Sequence, residues 1–232
     1  MRVERLEWDS NFFGCCVGRL IVDAGQEIPQ SLFDDFDLVY VVVEGELSPL
    51  QKQYFATQYF LADEKLTYEK AIHHAGNPNS NILSWPYNRE VNKNLLDIAV
   101  QAGEFSRFRI DPKIPTAKFV ELYEGWITNS VKRFLAEEVY YFSIDDQVAG
   151  VITLSIKNAK ADIGILSVNR IFRGKGAATE LVAAAEYWAK HIKGVPFIQV
   201  VTQASNHVAC RFYEKNGFTI EKREYVFHWW AK

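Results

Sequence analysis

The sequence predicts an α/β chain, of the α+β kind, built on a mixed central sheet, and three observations carry that prediction. Segments with the two-residue alternation of strands and segments with helical spacing succeed one another along all 232 residues. Three apolar runs, "EVYYFSI", "VAGVITLSI" and "ADIGILSV", are joined by turns at Asp145-Asp146 and near Asn158, and so read as a meander. The last run then leads through a glycine-rich stretch, "RIFRGKGAATELVAAAEYWA", into an apolar helix.

In chain order, "RVERLEW" and "CCVGRLIVD" read as strands, "PQSLFDDF" as a short helix with Pro29 at its start, and "DLVYVVVE" as a buried strand. "LSPLQKQYFATQ" reads as a helix with Ser48 as its N-cap. Pro49 suits the first turn, where a backbone N–H has no partner to lose. "LADEKLTYEKAI" returns as a strand. The Gly/Pro/Asn/Ser-rich "HHAGNPNSNILSWPYN" is the strongest linker signal and places a boundary near residues 73–90. It divides the chain into a smaller α/β domain over 1–90 and a second domain over 91–232.

Beyond the boundary, "REVNKNLLDIAVQAG" is helical, with Leu96, Ala99 and Val100 on one face. "TAKFVELYEGWITNSVKRFLA" is a longer helix capped by Thr116, with Phe119, Leu122, Tyr123 and Trp126 forming an apolar stripe of the kind that faces a core. After the meander and the glycine segment come a strand "PFIQVVTQ", a helix "NHVACRFYEKN" and an aromatic strand "EKREYVFHWW". Residues 42–70 also align without gaps on residues 200–228, so that Val43 falls on Val201, Tyr54 on Phe212, Phe55 on Tyr213 and Phe60 on Phe218. Any two strand–helix–strand units align in this manner, so chance likeness and a degenerate half-domain fit equally well. If the repeat is real, the first copy lacks the glycine loop and the tyrosine hydroxyl and is a structural partner.

Composition narrows the function classes. A chain that is 48% hydrophobic and 24% charged has the make-up of an ordinary protein with a sizeable core. Its net charge of −3 gives no basic stripe for nucleic acid. Three cysteines, two of them the adjacent Cys15 and Cys16, show neither a disulfide framework nor zinc spacing, and the five histidines are scattered, so no metal is expected. Free thiols and the lack of a signal-peptide pattern point to a cytoplasmic compartment. No apolar run approaches the roughly 18 residues of a membrane span.

The glycine segment is where chemistry first becomes legible. A helix start exposes N–H groups without intrahelical partners, and the helix dipole adds partial positive charge there. Gly174 and Gly176 permit a tight turn and close approach of a ligand to the backbone, while Arg173 and Lys175 supply charge. A pyrophosphate suits such a place, with Ser167 and Thr179 as further donors. The same pattern also serves as a plain turn before a packing helix. Downstream, Asn206 begins a helix and Tyr213 follows about two turns later at roughly 3.6 residues per turn, so both can face one side. Gly217 ends that helix.

"RGKGAA" followed by "VVTQASNHVACRFYEKNGF" resembles the GCN5-related N-acetyltransferase superfamily, the GNAT fold, over residues 104–232. Arg173, Gly176 and Ala178 match its Q/R-x-x-G-x-G/A motif. The resemblance implies a splayed parallel strand pair and acetyl-CoA as co-substrate. Its pyrophosphate would rest on residues 173–178 (Arg173, Gly174, Lys175, Gly176, Ala177, Ala178), its pantetheine along Leu166, Ser167 and Val168, and Asn206 would stand nearby. "LEWDSNFFG", "GEFSRFRIDP" and "FVELYEGWITNSV" resemble, more narrowly, the enzymes of that superfamily that acetylate dTDP-4-amino-4,6-dideoxygalactose for surface-polysaccharide synthesis. A homodimer is a further implication.

Another amine acceptor (a protein N-terminus, a polyamine or an antibiotic) and a non-catalytic acyl-CoA-binding module are the alternative readings. Under the enzymatic resemblance an acceptor amine attacks the thioester and Tyr213 protonates the departing thiolate. The alternative use of Tyr213 is packing. A backbone N–H at Leu166, Ser167 or Val168 meets the oxyanion. Ser106, Arg107 and Arg109 stand where a nucleotide-sugar diphosphate would enter, because guanidinium grips phosphate oxygens in pairs, although surface ion pairs use arginine equally well. Glu104, Asp111, Glu121 and Glu138 are the carboxylates available as base, and a water chain can do the same work.

Overall fold

The computed structural model describes residues 1–87 and 89–231. Residue 88, the last of the linker-like stretch, lies outside them. The first half runs β1 (Glu4–Arg5), α1 (Glu7–Phe13), β2 (Val17–Val22), a 3₁₀ turn (Gln30–Phe33), β3 (Leu38–Glu44), α2 (Pro49–Gln58) and β4 (Phe60–Ala71). Then come β5 (Ile82–Ser84), α3 (Lys93–Ala102), α4 (Arg107–Ile110), α5 (Thr116–Val131), β6 (Glu138–Ile144), β7 (Gln147–Lys157) and β8 (Lys160–Val168). A 3₁₀ turn (Arg170–Phe172), α6 (Ala177–Tyr187), β9 (Phe197–Gln203), α7 (His207–Lys215) and β10 (Thr219–Trp230) complete the chain.

Local chemistry explains both the agreements and the departures. Ser48 caps α2 through a reciprocal pair with Gln51, as Ser48-Pro49 predicts. Asp145, Asp146, Asn158 and Ala159 all have positive φ, so both meander turns are of the primed kind that matches strand twist. By contrast, "EWDSNFF" is a helix, and its first two residues, Glu7 and Trp8, depart from the expected strand "RVERLEW". Trp8 stacks on Phe12 one turn later, Ser10 accepts from the Val17 N–H, and Gly14 ends the helix with φ 70°. Helix α5 starts behind Pro115, without a Thr116 cap, and stops at Val131. The core face of α3 is Leu95, Ile98 and Ala99 rather than Leu96, Ala99 and Val100. Within the linker stretch, Ile82–Ser84 forms a strand paired with β6.

All ten strands join one sheet in the order β1-β2-β3-β10-β4-β9-β8-β7-β6-β5, antiparallel except for β2·β3 and β8·β9. Strand β4 thus lies between β10 and β9, and the sheet runs across the 1–90/91–232 division. The two strand–helix–strand units have exchanged their last strands. Val43 pairs with Tyr225, and a shift of 158 positions (43 to 201, 225 to 67) gives the observed pair Val201 with Thr67. Val42 with Val226 becomes Val200 with Tyr68 in the same way. Gapless register on both sides is what the sequence echo looks like in three dimensions.

Helices cover both faces of the sheet. On one, α1, α4 and α5 pack on Leu38, Tyr40, Val42 and Val226, and α3 with α5 on Val139, Val151 and Ile165. On the other, α2 covers Val41, Val43 and Phe227, while α6 and α7 cover Ile152, Leu154, Ile163 and Val200. Burying alternate residues of the central strands on opposite faces fixes the register, since a one-residue slip would invert every side chain.

Candidate active site

The two parallel strand pairs differ where it matters. β2 and β3 stay paired over six residues, Val17–Val22. β8 and β9 pair only from Ala161 to Ile163, while β8 continues to Val168 and β9 to Gln203. Beyond Ile163 the strands part and open a wedge. A bulge starts it: the β7·β8 register shifts between Ile152 and Leu154, and the hydroxyl of the intervening Thr153 accepts the Ile165 N–H at 2.8 Å. At the bend, a Cβ on Gly164 would lie only 2.9 Å from that hydroxyl, so a side chain would collide there.

Strand alternation then fixes which amides face the wedge. Asn169 N–H donates to Ala149 O on β7 and Ile165 N–H to Thr153, so Ser167 N–H also points to β7. Leu166 and Val168 present their amides to the wedge, whereas the Ser167 amide, one of the three expected there, does not.

At the end of β8, Asn169 caps the 3₁₀ turn and the chain enters α6 through Gly174 (φ 78°) and Gly176 (φ 83°), a left-handed region that favours glycine. No side chain caps α6, whose first intrahelical bond is Glu180 N–H to Gly176 O. The amides of Ala177, Ala178 and Thr179 therefore have no helical partner. Arg173 folds back so that Nε donates to Val168 O at 3.2 Å, and Lys175 lies 5.3 Å from the Phe172 ring. Outward strand amides leading to an uncapped helix start fit an amide-bearing arm that ends in a pyrophosphate.

Across the wedge, Asn206 caps α7 by accepting the Ala209 N–H at 3.2 Å, which leaves its amide nitrogen for other partners. Tyr213, buried among Tyr68, Phe212 and Phe218, reaches the gap from below. Burial, with a smaller push from neighbouring Cys210, holds its phenol well above the usual tyrosine range, so the hydroxyl keeps its proton at neutral pH.

The wedge opens onto a cleft of about 940 Å³ on the sheet face under α1, α4 and α5. Asn206, Leu166 and Tyr213 line its end near the wedge. Its floor carries a run of polar groups. Lys65 on β4 pairs with Glu224 on β10 at 2.9 Å, and Asp63 lies on the same face. Arg107 stacks 4.0 Å from the Tyr40 ring, and the Tyr40 hydroxyl donates to Asp9 at 3.2 Å. Ser106 is buried beside Tyr123. Arg109 instead turns outward to Thr116 and is no part of the cleft, a departure from its expected place beside Arg107.

The expected base candidates are engaged elsewhere. Glu104 pairs with Arg170, Glu138 with Arg133 at 2.6 Å, and Asp111 with His228 and Trp230; Glu121, paired with Lys118, sits at the cleft rim. Sequence reasoning misses Asp63, Glu224 and Tyr40. Their signal is the alternation in "LADEKL", which places Asp63 and Lys65 on one strand face, but nothing in the sequence says that β4 crosses into the second half's sheet. Among the described residues no cluster of metal-ligating side chains occurs and no helix is long and apolar enough to cross a membrane.

A mixed sheet whose parallel pair opens above a glycine-bordered helix start is an arrangement that suits a ligand of the acetyl-CoA kind. The chain carries a domain of the acetyltransferase (GNAT) family, matched over residues 104–218. It is 30% identical over 133 residues to dTDP-fucosamine acetyltransferase of Escherichia coli O6:H1, which covers 56% of each chain. It is 39% identical over 80 residues to streptothricin acetyltransferase of Escherichia coli, covering 33% of this chain and 44% of that one. The matches therefore span only 56% and 44% of these relatives. A tandem GNAT protein from the clavulanic acid biosynthesis pathway superposes with a TM-score of 0.55 at 16% identity, over 93% of this chain and 75% of that one. Acetyltransferases of this family take acetyl-CoA as donor.

Proposed function

We propose that the protein is an acetyl-CoA-dependent N-acetyltransferase acting on the amino group of a nucleotide-linked amino-deoxysugar. The observation that carries the reading is the wedge between β8 and β9, which leads from the α6 start, past Tyr213, into a cleft large enough for a second substrate. Leu166 and Val168 hold the donor's arm by their amides, the amides of Ala177–Thr179 hold its pyrophosphate, and Tyr213 gives a proton to the departing sulfur. Arg107 and the exposed Trp8 on the cleft wall suit a diphosphate and a base. Likeness to dTDP-fucosamine acetyltransferase supports a dTDP-linked 4-amino sugar as acceptor. Supply of surface-polysaccharide synthesis by a cytoplasmic homodimer belongs to the same reading.

The test is release of free thiol from acetyl-CoA with dTDP-4-amino-4,6-dideoxygalactose, against spermidine, a peptide and streptothricin. Turnover with the sugar nucleotide alone is expected. Turnover with streptothricin alone would move the acceptor to amine antibiotics, the substrate class of the second relative.

A further inference from the structure

We propose that Asp63 is the base that takes a proton from the acceptor's ammonium group as it enters the cleft. The inference rests on the N-acetyltransferase reading and names a residue outside the matched span 104–218. Strand β4 brings it in. Lys65 pairs in register with Gln203, the last residue of β9, and Ala204 N–H donates to Glu64 O at 2.7 Å. Asp63 therefore lies just past the point where the wedge between β8 and β9 meets the cleft floor. Its Oδ1 is buried and has no hydrogen-bond partner, an arrangement that costs free energy unless something else uses the oxygen.

The surroundings suit a proton acceptor. Asp63 is faced by Arg107 from α4, Tyr123 from α5, Gln203 from β9, Glu224 from β10 and Lys65 from its own strand. Burial pushes its carboxyl up to about 7, with Arg107, Gln203 and Lys65 pulling down and Glu224 pushing further up. The two cations hold enough carboxylate at neutral pH to act, and burial makes that carboxylate a far stronger base than an exposed one. Lys65 is already engaged by Glu224 at 2.9 Å, so it does not neutralise Asp63 outright.

Protons and bonds balance over the transfer. An R–NH₃⁺ group gives one proton to Asp63, and the freed lone pair forms the C–N bond to the thioester carbon. As the C–S bond breaks, the thiolate takes the Tyr213 proton. A second proton from the attacking nitrogen restores the phenol, leaving amide and CoA thiol. Asp63 releases its proton to solvent.

The experiment uses the full chain with acetyl-CoA and, as acceptors, dTDP-4-amino-4,6-dideoxygalactose, spermidine and streptothricin, following thiol release from pH 5.5 to 9.5. The expected wild-type profile of kcat/KM falls on the acid side of about 7. Asp63→Asn should lose that limb and roughly 100-fold of kcat/KM at neutral pH. Acetyl-CoA affinity should stay within about twofold, and the deficit should narrow at pH 9.5, where the amine deprotonates unaided. Asp63→Glu should restore part of the rate with a displaced limb, and it carries the test if the Asn variant does not fold. An Asn variant that keeps the limb, or stays within about threefold of wild type, overturns the proposal. Wild-type protein that binds acetyl-CoA yet releases no thiol with any of the three amines overturns the underlying reading, and Asp63's role with it.

Discussion

His228 donates through Nδ1 to the Asp111 carboxylate at 2.6 Å, across 117 residues of sequence. Trp230 Nε1 donates to the same oxygen at 2.9 Å, and Lys113 N–H to the other at 2.9 Å. One carboxylate thereby ties the end of β10 to the turn that joins α4 and α5, the two helices whose residues line the cleft. Asp111→Ala would leave the buried His228 donor and the half-buried Trp230 donor without acceptors. The expected loss is on the order of 3 kcal/mol, measured by denaturant unfolding. A loss below about 1 kcal/mol would mean that water or a rearranged loop satisfies them.

Three of the buried titratable groups make stability vary with pH in different directions. For Asp111, burial works upward but the His228, Trp230 and Lys113 bonds outweigh it, leaving the carboxyl below its usual range. Its contribution is therefore present above the unfolded value of about 4 and is lost as pH falls. Burial likewise holds His228 below the usual histidine range, against Asp111, so stability also falls once pH drops below about 6.5, where the unfolded chain takes up the proton. Asp63 has the opposite sign. Its raised carboxyl favours the folded state most in acid, and that advantage disappears as pH rises toward about 7. Asp63→Asn should therefore raise Tm relative to wild type at pH 8 and lose that gain by pH 4.5. A gap that does not change with pH would show that Asp63 ionises normally.

At the donor end, Gly176 sits at φ 83° immediately before α6, with open space where a Cβ would be. Gly176→Ala meets no clash, so its effect is backbone strain alone, about 1 kcal/mol or more. Relief of that strain rotates the amides at the helix start. Calorimetric titration should show acetyl-CoA bound at least about fivefold more weakly, with the amine KM unchanged. Unaltered donor affinity would remove the α6 start from the pyrophosphate site.

Ser48-Pro49, the Asp145-Asp146 and Asn158 turns, and Gly217 after α7 each impose a local geometry through their own chemistry, and each appears where its residues predict. The glycine loop and Tyr213 are legible in the sequence for the same reason, being set by a strand end and a helix pitch. The helix at Glu7–Phe13 is not, because its stability comes from packing on β2 and from Gly14 rather than from propensity. Nor is Asp63. Its place depends on β4 crossing to pair with β9, a long-range exchange that no local pattern encodes.

Arg107 and Arg109 give a sharp contrast within one helical turn. Arg107 stacks on Tyr40 and Phe108 inside the cleft, whereas Arg109 reaches Thr116 on the outside. Arg107→Ala should raise the KM for a sugar nucleotide about tenfold or more, the scale of one charge-assisted contact, while Arg109→Ala should leave it unchanged. Equal effects would mean that both arginines act only through the fold of α4.

Tyr213→Phe removes one oxygen from a ring held by Tyr68, Phe212 and Phe218, so packing survives. Burial keeps the phenol protonated through the neutral range, which makes it a donor and excludes it as a base there. Its proton is needed only when the C–S bond breaks. The loss should therefore fall on kcat, about 100-fold, while acetyl-CoA affinity and Tm hold. The acid limb assigned to Asp63 should persist in this variant, because the two groups serve different proton transfers. Retention of full turnover would return Tyr213 to packing and leave the thiolate to solvent. Loss of the acid limb together with the rate would instead make Tyr213 and Asp63 parts of one relay.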